Sequence, residues 1–169
     1  MDWYEPDNVV DRSIPFVDNT PIVLFLDGTS TRRTLAQHLQ LRPIQLAGTD
    51  LKDLEFPRPF KDLRNADLSG ANLQGAKLHG SHLQNASFRD ADLSDADLTA
   101  CVLWHARFRG AALERTNFGE ASLTQVDLRG ACLRKATLSR AHLDYADLRE
   151  VDLVGAQLVE ADLRNADLR

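Results

Sequence analysis

The stretch "ADLSGANLQGAKL", residues 66–78, places a leucine at every fifth position. From Leu68 to Leu168 the same step meets Leu or Phe in 21 consecutive pentads. The residue two before each is Ala in 16 of them, and the exceptions are Ser81, Cys101, Thr116, Val126 and Val151. An unbroken internal period of this length decides the architecture before any other feature of the sequence.

A step of five suits neither a regular helix nor a regular strand. In an α-helix it rotates successive leucines by about 140°, so they would spiral around the cylinder. In a continuous strand an odd step puts successive leucines on opposite faces. Three extended residues followed by a turn fit the pattern, because the small residue and the leucine then both point inward. Gly, Asn and Asp are frequent at the fifth position, which supports a turn there.

Several pentads carry a family resemblance, among them "ADLSG", "ANLQG", "ADLRN" and "ADLRE". They resemble the consensus of the pentapeptide-repeat proteins, close to Ala-Asp/Asn-Leu-polar-polar, over residues 61–169. The resemblance implies an all-β fold, a right-handed quadrilateral β-helix with four pentads per coil. Residues 20 apart would then stack in columns, with about 4.8 Å between coils. We therefore expect Phe88 and Phe108 to be stacked neighbours in the core, with Phe118 at a similar level.

The first 60 residues do not follow this frame. In the N-terminal segment 1–45, "PIVLFL" (21–26) predicts a short strand and "STRRTLAQHLQL" (30–41) a helix. We interpret them as a small cap, because a β-solenoid exposes core and unpaired backbone at its ends. Residues 46–60 predict an imperfect first coil and a Pro-containing loop, since Leu46 and Leu51 are out of frame with Leu68. Residues 61–169 are the predicted regular β-helix.

Charge and composition favour a cytoplasmic protein that binds neither membranes nor nucleic acid. The formal net charge is −5, and residues 61–169 carry 16 acidic and 14 basic residues. No polybasic stretch is present, no run approaches the roughly 20 apolar residues of a membrane span, and "MDWYEPDNVV" lacks the features of a secretory signal. Cys101 in an inward slot and Cys132 in an outward slot are not expected to pair.

The pattern also predicts that the protein is not an enzyme. Burial of each Leu or Phe contributes roughly 1.5 to 3 kcal/mol, so the interior is needed as core and leaves no lumen for a ligand. "VLFLDGTS" (23–30) is similar to the nucleophile motif of haloacid-dehalogenase-like phosphatases, but Phe25 stands at the nucleophile's position. The five histidines fall on different columns or distant coils. We expect no catalytic residue, no metal and no cofactor.

One cluster of outward carboxylates is dense enough to be a candidate cation site. It spans one corner of the predicted coil and consists of Asp90, Asp92, Asp95 and Asp97. The spacing of a calcium loop is absent, and the columns place Arg115 above Asp95 and Lys77 below Asp97. A solvated acidic corner balanced by basic neighbours is the favoured interpretation.

The most informative outward feature emerges at steps of twenty. On the face that contains Leu68, the Leu68 face, the residues after the leucine column are Ser69, Arg89, Arg109, Arg129, Arg149 and Arg169. Those before it are Asp67, Ser87, Arg107, Asp127, Asp147 and Asp167. Ion pairs, each worth roughly 0 to 1 kcal/mol, are expected in the upper half, whereas Arg89, Arg107 and Arg109 have no aspartate in these columns. The arginines, with Val102 and Trp104 on the Leu83 face, form the candidate interaction face.

These features predict a non-enzymatic protein-interaction or scaffold module that presents flat outer faces to an unidentified protein partner. The resemblance offers an alternative, because the quinolone-resistance pentapeptide proteins are DNA mimics that engage type II topoisomerase (gyrase). A DNA mimic needs a long acidic surface, which a nearly neutral rod with an arginine column does not offer. A purely structural spacer is a further alternative.

The last predicted coil favours self-association. The pentads continue without change of composition through "ADLRNADLR", 161–169. Leu158, Leu163 and Leu168 would face water there beside unpaired strand edges, so we expect a homodimer through the C-terminal coil, the alternative being that the native chain continues beyond residue 169. Sedimentation at low protein concentration tests this, and a clean monomer would contradict it.

Overall fold

The computed structural model describes residues 13–14, 22–23, 45–53 and 62–169. The chain divides into two compact units, Met1–Arg42 and Pro43–Arg169. In the first unit, β1 (Ser13–Ile14) pairs antiparallel with β2 (Ile22–Val23). β2 lies within the strand predicted at 21–26, whereas the helix predicted at 30–41 lies outside the described residues. No helix in the described part of the chain is long and apolar enough to cross a membrane.

The second unit winds into a coil with 20 residues per turn. From Asp62 onward, every bridge between coils is parallel and joins residues 20 apart, as in the pairs Asp67 with Ser87 and Ser87 with Arg107. Each side of the coil contributes one bridging residue, the one before the leucine, because the chain turns after three extended residues. The predicted stacking of four pentads per coil is thereby confirmed, and the short sides explain why isolated bridges replace long strands.

Four of the five backbone N–H groups of a pentad find backbone acceptors in a repeating scheme. Leu68 N donates to Ser87 O in the next coil at 2.8 Å. The residue two after each leucine, which is the third residue of the turn, also donates its N–H to the next coil. Ala71 N closes the turn on Leu68 O at 3.1 Å, and Ser87 N donates back to Ala66 O at 2.9 Å. The remaining N–H, on the residue after the leucine, has no backbone acceptor in the described pentads.

Aspartate and asparagine in front of the leucines satisfy this remaining N–H. All twelve such residues in the described coil accept it through Oδ1, as Asp67 does from Ser69 N at 3.1 Å. Their short polar side chains reach the backbone two residues on, as in an Asx turn. The preference for Asp or Asn at this position therefore follows from the need to pair one backbone donor.

The third residue of every turn has a left-handed backbone. All 21 of these positions from 65 to 165 have φ between 54° and 74°. Glycine occupies only six of them, and the others include His105, Glu120, Gln125 and Tyr145. No β-branched residue and no proline stands at any of these positions. This composition fits the steric rule that β-branched side chains tolerate positive φ worst.

Replacing Gln125 by Val should therefore destabilise the protein more than replacing it by Gly. Gln125 is exposed and has a φ of 56°, so its side chain adds little packing. Relative to Gln, Val in this conformation should lower the free energy of unfolding by about 1 to 2 kcal/mol. Gly relieves the backbone strain but adds a comparable entropic cost, so its net effect should be small. Urea unfolding measures both variants. Equal stability of the Val and Gly variants would contradict the turn assignment.

The coil extends to residues 45–53 with a shifted register. Gln45 bridges Asp67 and Asp50 bridges Asn72, so the offset here is 22 residues instead of 20. Leu46 and Leu51 of this stretch are both buried. The offset therefore changes by two residues between Asp50 and Asp62, and the predicted loop with "PRPF" (57–60) lies outside the described residues.

The core is a ladder of leucine, phenylalanine and alanine. In the regular coil from Leu63 to Leu148, the inward side chains are at most 4% exposed. Phe88 stacks on Phe108 with ring centroids 4.6 Å apart and planes 3° from parallel. Phe118 meets Phe108 edge-on at a centroid distance of 5.9 Å. This confirms the predicted aromatic layer. Thr116, which replaces the usual Ala, donates its hydroxyl to Leu93 O at 2.8 Å.

Candidate functional site

Asp-Leu-Arg triplets organise the surface charge of the coil. The aspartate before the leucine binds the arginine after it, as Asp127 Oδ1 and Oδ2 accept bonds from Arg129 Nε (2.8 Å) and Nη2 (2.7 Å). The two residues flank one leucine on the same side of the coil, so the pair forms within a single pentad. The same geometry occurs in four further triplets, at 62–64, 147–149, 162–164 and 167–169.

On the Leu68 face three triplets join into a chain of alternating charge. Arg129 Nε also lies 3.4 Å from Asp147 Oδ2 of the next coil. Arg149 Nε lies 3.7 Å from Asp167 Oδ2 in the same way. The upper half of the arginine column, from Arg129 to Arg169, is therefore neutralised within the protein.

Hydrogen bonds from these arginines lower the pKa values of the aspartates. The side-chain bond from the arginine two residues on is the largest cause at Asp62, Asp127 and Asp147. The pKa of Asp162 and the pKa of Asp167 are lowered to about 2 for the same reason. These bonds favour the charged carboxylates, so the triplets should hold at lower pH than ordinary aspartates would allow.

The lowered pKa values predict that the triplets persist near pH 4 and break as the pH approaches 2. A group whose pKa falls on folding stabilises the fold above its unfolded value of about 3.9, and this contribution is lost as the pH drops through the folded value. Carboxyl-carbon NMR titration should give Asp167 a pKa of about 2. Arg169→Gln should raise that pKa, whereas Arg134→Gln on another face should not. A wild-type pKa near the unfolded value would contradict the pairing.

Three adjacent arginines in the lower half lack carboxylate partners. Of the eleven arginines in residues 62–169, eight form an ion pair. No carboxylate of the described residues lies within 4 Å of the guanidinium groups of Arg89, Arg107 or Arg109. Ser87 and Arg107 stand where the triplets have aspartate, so no aspartate precedes Phe88 or Phe108 to pair with Arg89 or Arg109. Arg107 Nη2 donates to Asn85 O at 3.4 Å.

The carboxylates of the acidic corner have separate partners. Arg115 donates Nε (2.6 Å) and Nη2 (2.8 Å) to Asp95 and lowers its pKa. Asp92 and Asp97 accept the backbone N–H two residues on, at 2.9 and 3.0 Å. Asp90 is exposed on a left-handed turn. Within the described ranges, no group of three His, Cys, Asp or Glu residues is arranged to hold a metal ion.

The Leu83 face contains aromatic residues of which sequence reasoning identified only one. Trp104 is 49% exposed, and its indole N–H donates to Ser122 Oγ in the next coil. Tyr145, two coils further on, is 59% exposed. The outward positions from 82 to 145 contain one charged residue, Asp144, which accepts a bond from Thr124 Oγ1 at 2.9 Å. The remaining outward residues are His82, Gln84, Asn85, Val102, His105, Gln125 and His142.

The two remaining faces, the Leu73 and Leu78 faces, have no outward Trp, Tyr or Phe side chain in the described coil. On the Leu78 face a shallow depression of 440 Å³ surrounds Gly119, and the Arg140–Glu160 ion pair lies at its edge. On the Leu73 face Cys132 is partly exposed, while Cys101 is buried in the core. The two cysteines do not form a disulfide with each other, as their opposite orientations predict.

The last coil is less buried than the coils before it. Leu158 and Leu163 are partly exposed, and Leu168 is 56% exposed. Val154 and Val159, outward on the same coil, are also exposed. Self-association through this coil stays a prediction.

Three solved structures show what the chain is similar to. One is HetL, a pentapeptide repeat protein involved in heterocyst differentiation regulation in the cyanobacterium Nostoc sp. strain PCC 7120. It is 34% identical over 75% of this chain, with a TM-score of 0.30, and this chain spans 60% of the length of HetL. QnrB1, a plasmid-mediated fluoroquinolone resistance protein, is 23% identical over 75% of this chain and 70% of its own, with a TM-score of 0.30. A pentapeptide repeat protein of the Arabidopsis thaliana thylakoid lumen is 31% identical over 65% of this chain and 68% of its own, with a TM-score of 0.27. No curated protein matches the sequence significantly.

The regular coil is matched along its whole length by one family. The family of pentapeptide repeats matches in eight copies, over residues 62–99, 91–130, 101–140 and 131–169. These are the pentads whose leucines fill the core and whose aspartates and asparagines pair the free backbone N–H. The right-handed quadrilateral β-helix of this family agrees with a coil of four pentads. The chain belongs to the pentapeptide repeat proteins.

Proposed function

We propose that this protein is a non-enzymatic interaction module and that a partner protein binds its Leu83 face. Because the core is filled with side chains, a partner can contact only the outward side chains. These project from a repeating, closely hydrogen-bonded backbone. The observation that carries the proposal is the composition of the Leu83 face, on which exposed aromatic side chains stand in a surface almost free of charge.

The centres of protein interfaces are depleted of charge and enriched in Trp and Tyr. Of the twelve outward positions from 82 to 145 on the Leu83 face, one is charged, whereas nine of the twelve from 87 to 150 on the Leu68 face are charged. The hydrogen bond to Ser122 holds Trp104 in one orientation, so little side-chain freedom is lost on binding. The Leu83 face is therefore the best candidate for the centre of an interface.

A quantitative pull-down from a lysate of the source cell tests this proposal. The bait proteins are the wild type, a Trp104→Ala/Tyr145→Ala variant, and an Arg134→Ala/Arg140→Ala variant as a control on other faces. We expect a partner retained by the wild type and the control to be lost about tenfold or more from the aromatic variant. Retention that is independent of the Leu83 face would overturn the assignment of this face, and absence of any specific partner would favour a spacer.

A gyrase supercoiling assay tests the DNA-mimic alternative. Seven aspartates of the described coil are bound by arginine, so they do not form an uninterrupted acidic surface; they are Asp62, Asp95, Asp127, Asp147, Asp152, Asp162 and Asp167. We expect supercoiling to be unaffected at high micromolar protein. Inhibition would favour topoisomerase binding over the proposed interaction module.

A further inference from the structure

We propose that an acidic peptide segment of the partner protein docks where the Leu83 and Leu68 faces meet. The site, here the corner patch, consists of Val102 and Trp104 on the Leu83 face and Arg89, Arg107 and Arg109 on the Leu68 face. Two or three carboxylates of the peptide would bind the arginines, and a large apolar side chain would pack on Trp104. The inference rests on the proposed function, because the peptide belongs to the bound partner.

The arginines of the corner patch form no ion pair with a carboxylate of the described residues. In the upper half of the Leu68 face the aspartate before each leucine accepts two hydrogen bonds from the arginine after it, as in Asp127 and Arg129. The corresponding triplets here are Ser-Phe-Arg at 87–89 and Arg-Phe-Arg at 107–109. Their guanidinium groups retain planar sets of N–H donors that match a carboxylate bidentately. The Asp-Leu-Arg triplets thus show, within the same molecule, the contact that a peptide carboxylate would supply.

The three arginines are held close together by the coil. Position 87 bridges position 107, so the two pentads are direct neighbours, about 4.8 Å apart. Arg89 and Arg109 therefore stack in one column, and Arg107 lies on the other side of the leucine column. Beneath them Phe88 and Phe108 are fully buried and stacked with centroids 4.6 Å apart. This rigid floor keeps the positive charges within a span that a short peptide can cover.

An apolar surface adjoins these charges. Trp104 and Arg107 are separated by the turn at His105 and the buried Ala106, so they flank one corner of the coil. Trp104 is half exposed with its indole tied to Ser122, and Val102 beside it is partly exposed. A segment that places a Leu or an aromatic residue next to its carboxylates would use both parts of the patch.

The surroundings favour a peptide over a nucleic acid. A nucleic acid presents a long and uniform row of phosphates, which calls for an extended basic stripe. Here the basic column becomes internally neutralised at Arg129, and the nearby carboxylates of Asp90 and Asp127 would repel a phosphate backbone. Asp127 already feels the charge of Arg89, which contributes to lowering its pKa. A short acidic segment that ends before these carboxylates avoids the repulsion.

Fluorescence titration with a defined peptide tests the proposal. The probe is a synthetic peptide of about twelve residues, rich in Asp and Glu with a central Leu, and binding is read from Trp104 emission in a Trp3→Phe background. Two matched peptides replace either the acidic residues by Asn and Gln or the Leu by Ser. Protein variants are Arg89→Gln/Arg107→Gln/Arg109→Gln and, as a control of equal charge on other faces, Arg134→Gln/Lys135→Gln/Arg140→Gln.

We expect saturable binding of the acidic peptide that weakens as salt is raised. The corner-patch variant should bind about tenfold or more weakly, and the control variant within about twofold of the wild type. Both matched peptides should also bind more weakly. Circular dichroism should show an intact fold in the corner-patch variant, because its arginines make no ion pair in the described structure.

Three results would overturn the proposal: no saturable binding of the peptide, equal binding by the corner-patch variant and the wild type, or tighter binding of a single-stranded DNA that depends on the same arginines. These results differ from a failure of the proposed function. A partner that is lost from the Trp104→Ala/Tyr145→Ala bait but retained by the corner-patch variant would leave the interaction module standing and remove only the acidic peptide.

Discussion

Phe108→Ala is expected to lower the free energy of unfolding by about 3 to 5 kcal/mol, the largest effect of any substitution considered. Phe108 is fully buried, stacks on Phe88 with centroids 4.6 Å apart, and meets Phe118 edge-on at 5.9 Å. Removing its ring leaves a cavity that borders both partners. Because coils of a solenoid contact only their neighbours, the cavity cannot be filled from elsewhere in the core. Urea unfolding monitored by circular dichroism measures the loss.

Phe108→Leu is the matched control, since Leu fills the same inward slot in most pentads. We expect it to cost clearly less than Phe108→Ala because most of the volume is kept. A double-mutant cycle with Phe88 should give a coupling of about 0.5 to 1.5 kcal/mol for the stacked pair. If Phe108→Ala costs no more than Phe108→Leu, the aromatic layer is not a tightly packed core.

Much of the fold was predictable because one periodicity determines both packing and turns. The step of five from Leu68 separates inward from outward residues, and the structure places both as expected up to Leu148. The stacking of Phe88 on Phe108 follows from the step of twenty. The register shift at Leu46 was visible as a break in the frame, but its size of two residues depends on how the intervening chain is accommodated.

The backbone conformation of the turns was only partly predictable. Gly, Asn and Asp indicate left-handed residues, yet Arg115, Lys135 and Tyr145 have the same positive φ. Their backbone hydrogen bonds to adjacent coils impose it, and such bonds cannot be read from local preferences. The informative signal was the absence of β-branched residues from all of these positions.

The unpaired arginines of the candidate site were predictable from the sequence, because it is enough to compare the residues before and after each leucine on the Leu68 face. Reading the Leu68 face at steps of twenty separates Arg129, which has an aspartate two residues before it, from Arg89 and Arg109, which do not. The same reading on the Leu83 face would have found Tyr145 together with Trp104. The hydrogen bond from Trp104 to Ser122 could not be predicted from the sequence, because it depends on the rotamer of the indole side chain.

Ala106→Leu is the second substitution with a large expected effect, a loss of about 1 to 3 kcal/mol in the free energy of unfolding. Ala106 is fully buried in the column of small inward residues. No residue larger than Val or Thr occupies such a slot in any of the 21 pentads, where Val126 stands directly above Ala106. A leucine at this position would have to displace neighbouring side chains in a core that is already filled.

Two controls make the measurement decisive. Ala106→Cys should stay within about 1 kcal/mol of the wild type, because Cys101 occupies the equivalent slot of the preceding pentad and donates its thiol to Leu78 O at 3.1 Å. Ala112→Leu makes the same change at an outward position and should alter stability by less than about 0.5 kcal/mol. A tolerated Ala106→Leu would mean that the interior has unfilled space. Ligand binding inside the coil would then become possible, and the argument that function lies on the outer faces would lose its physical basis.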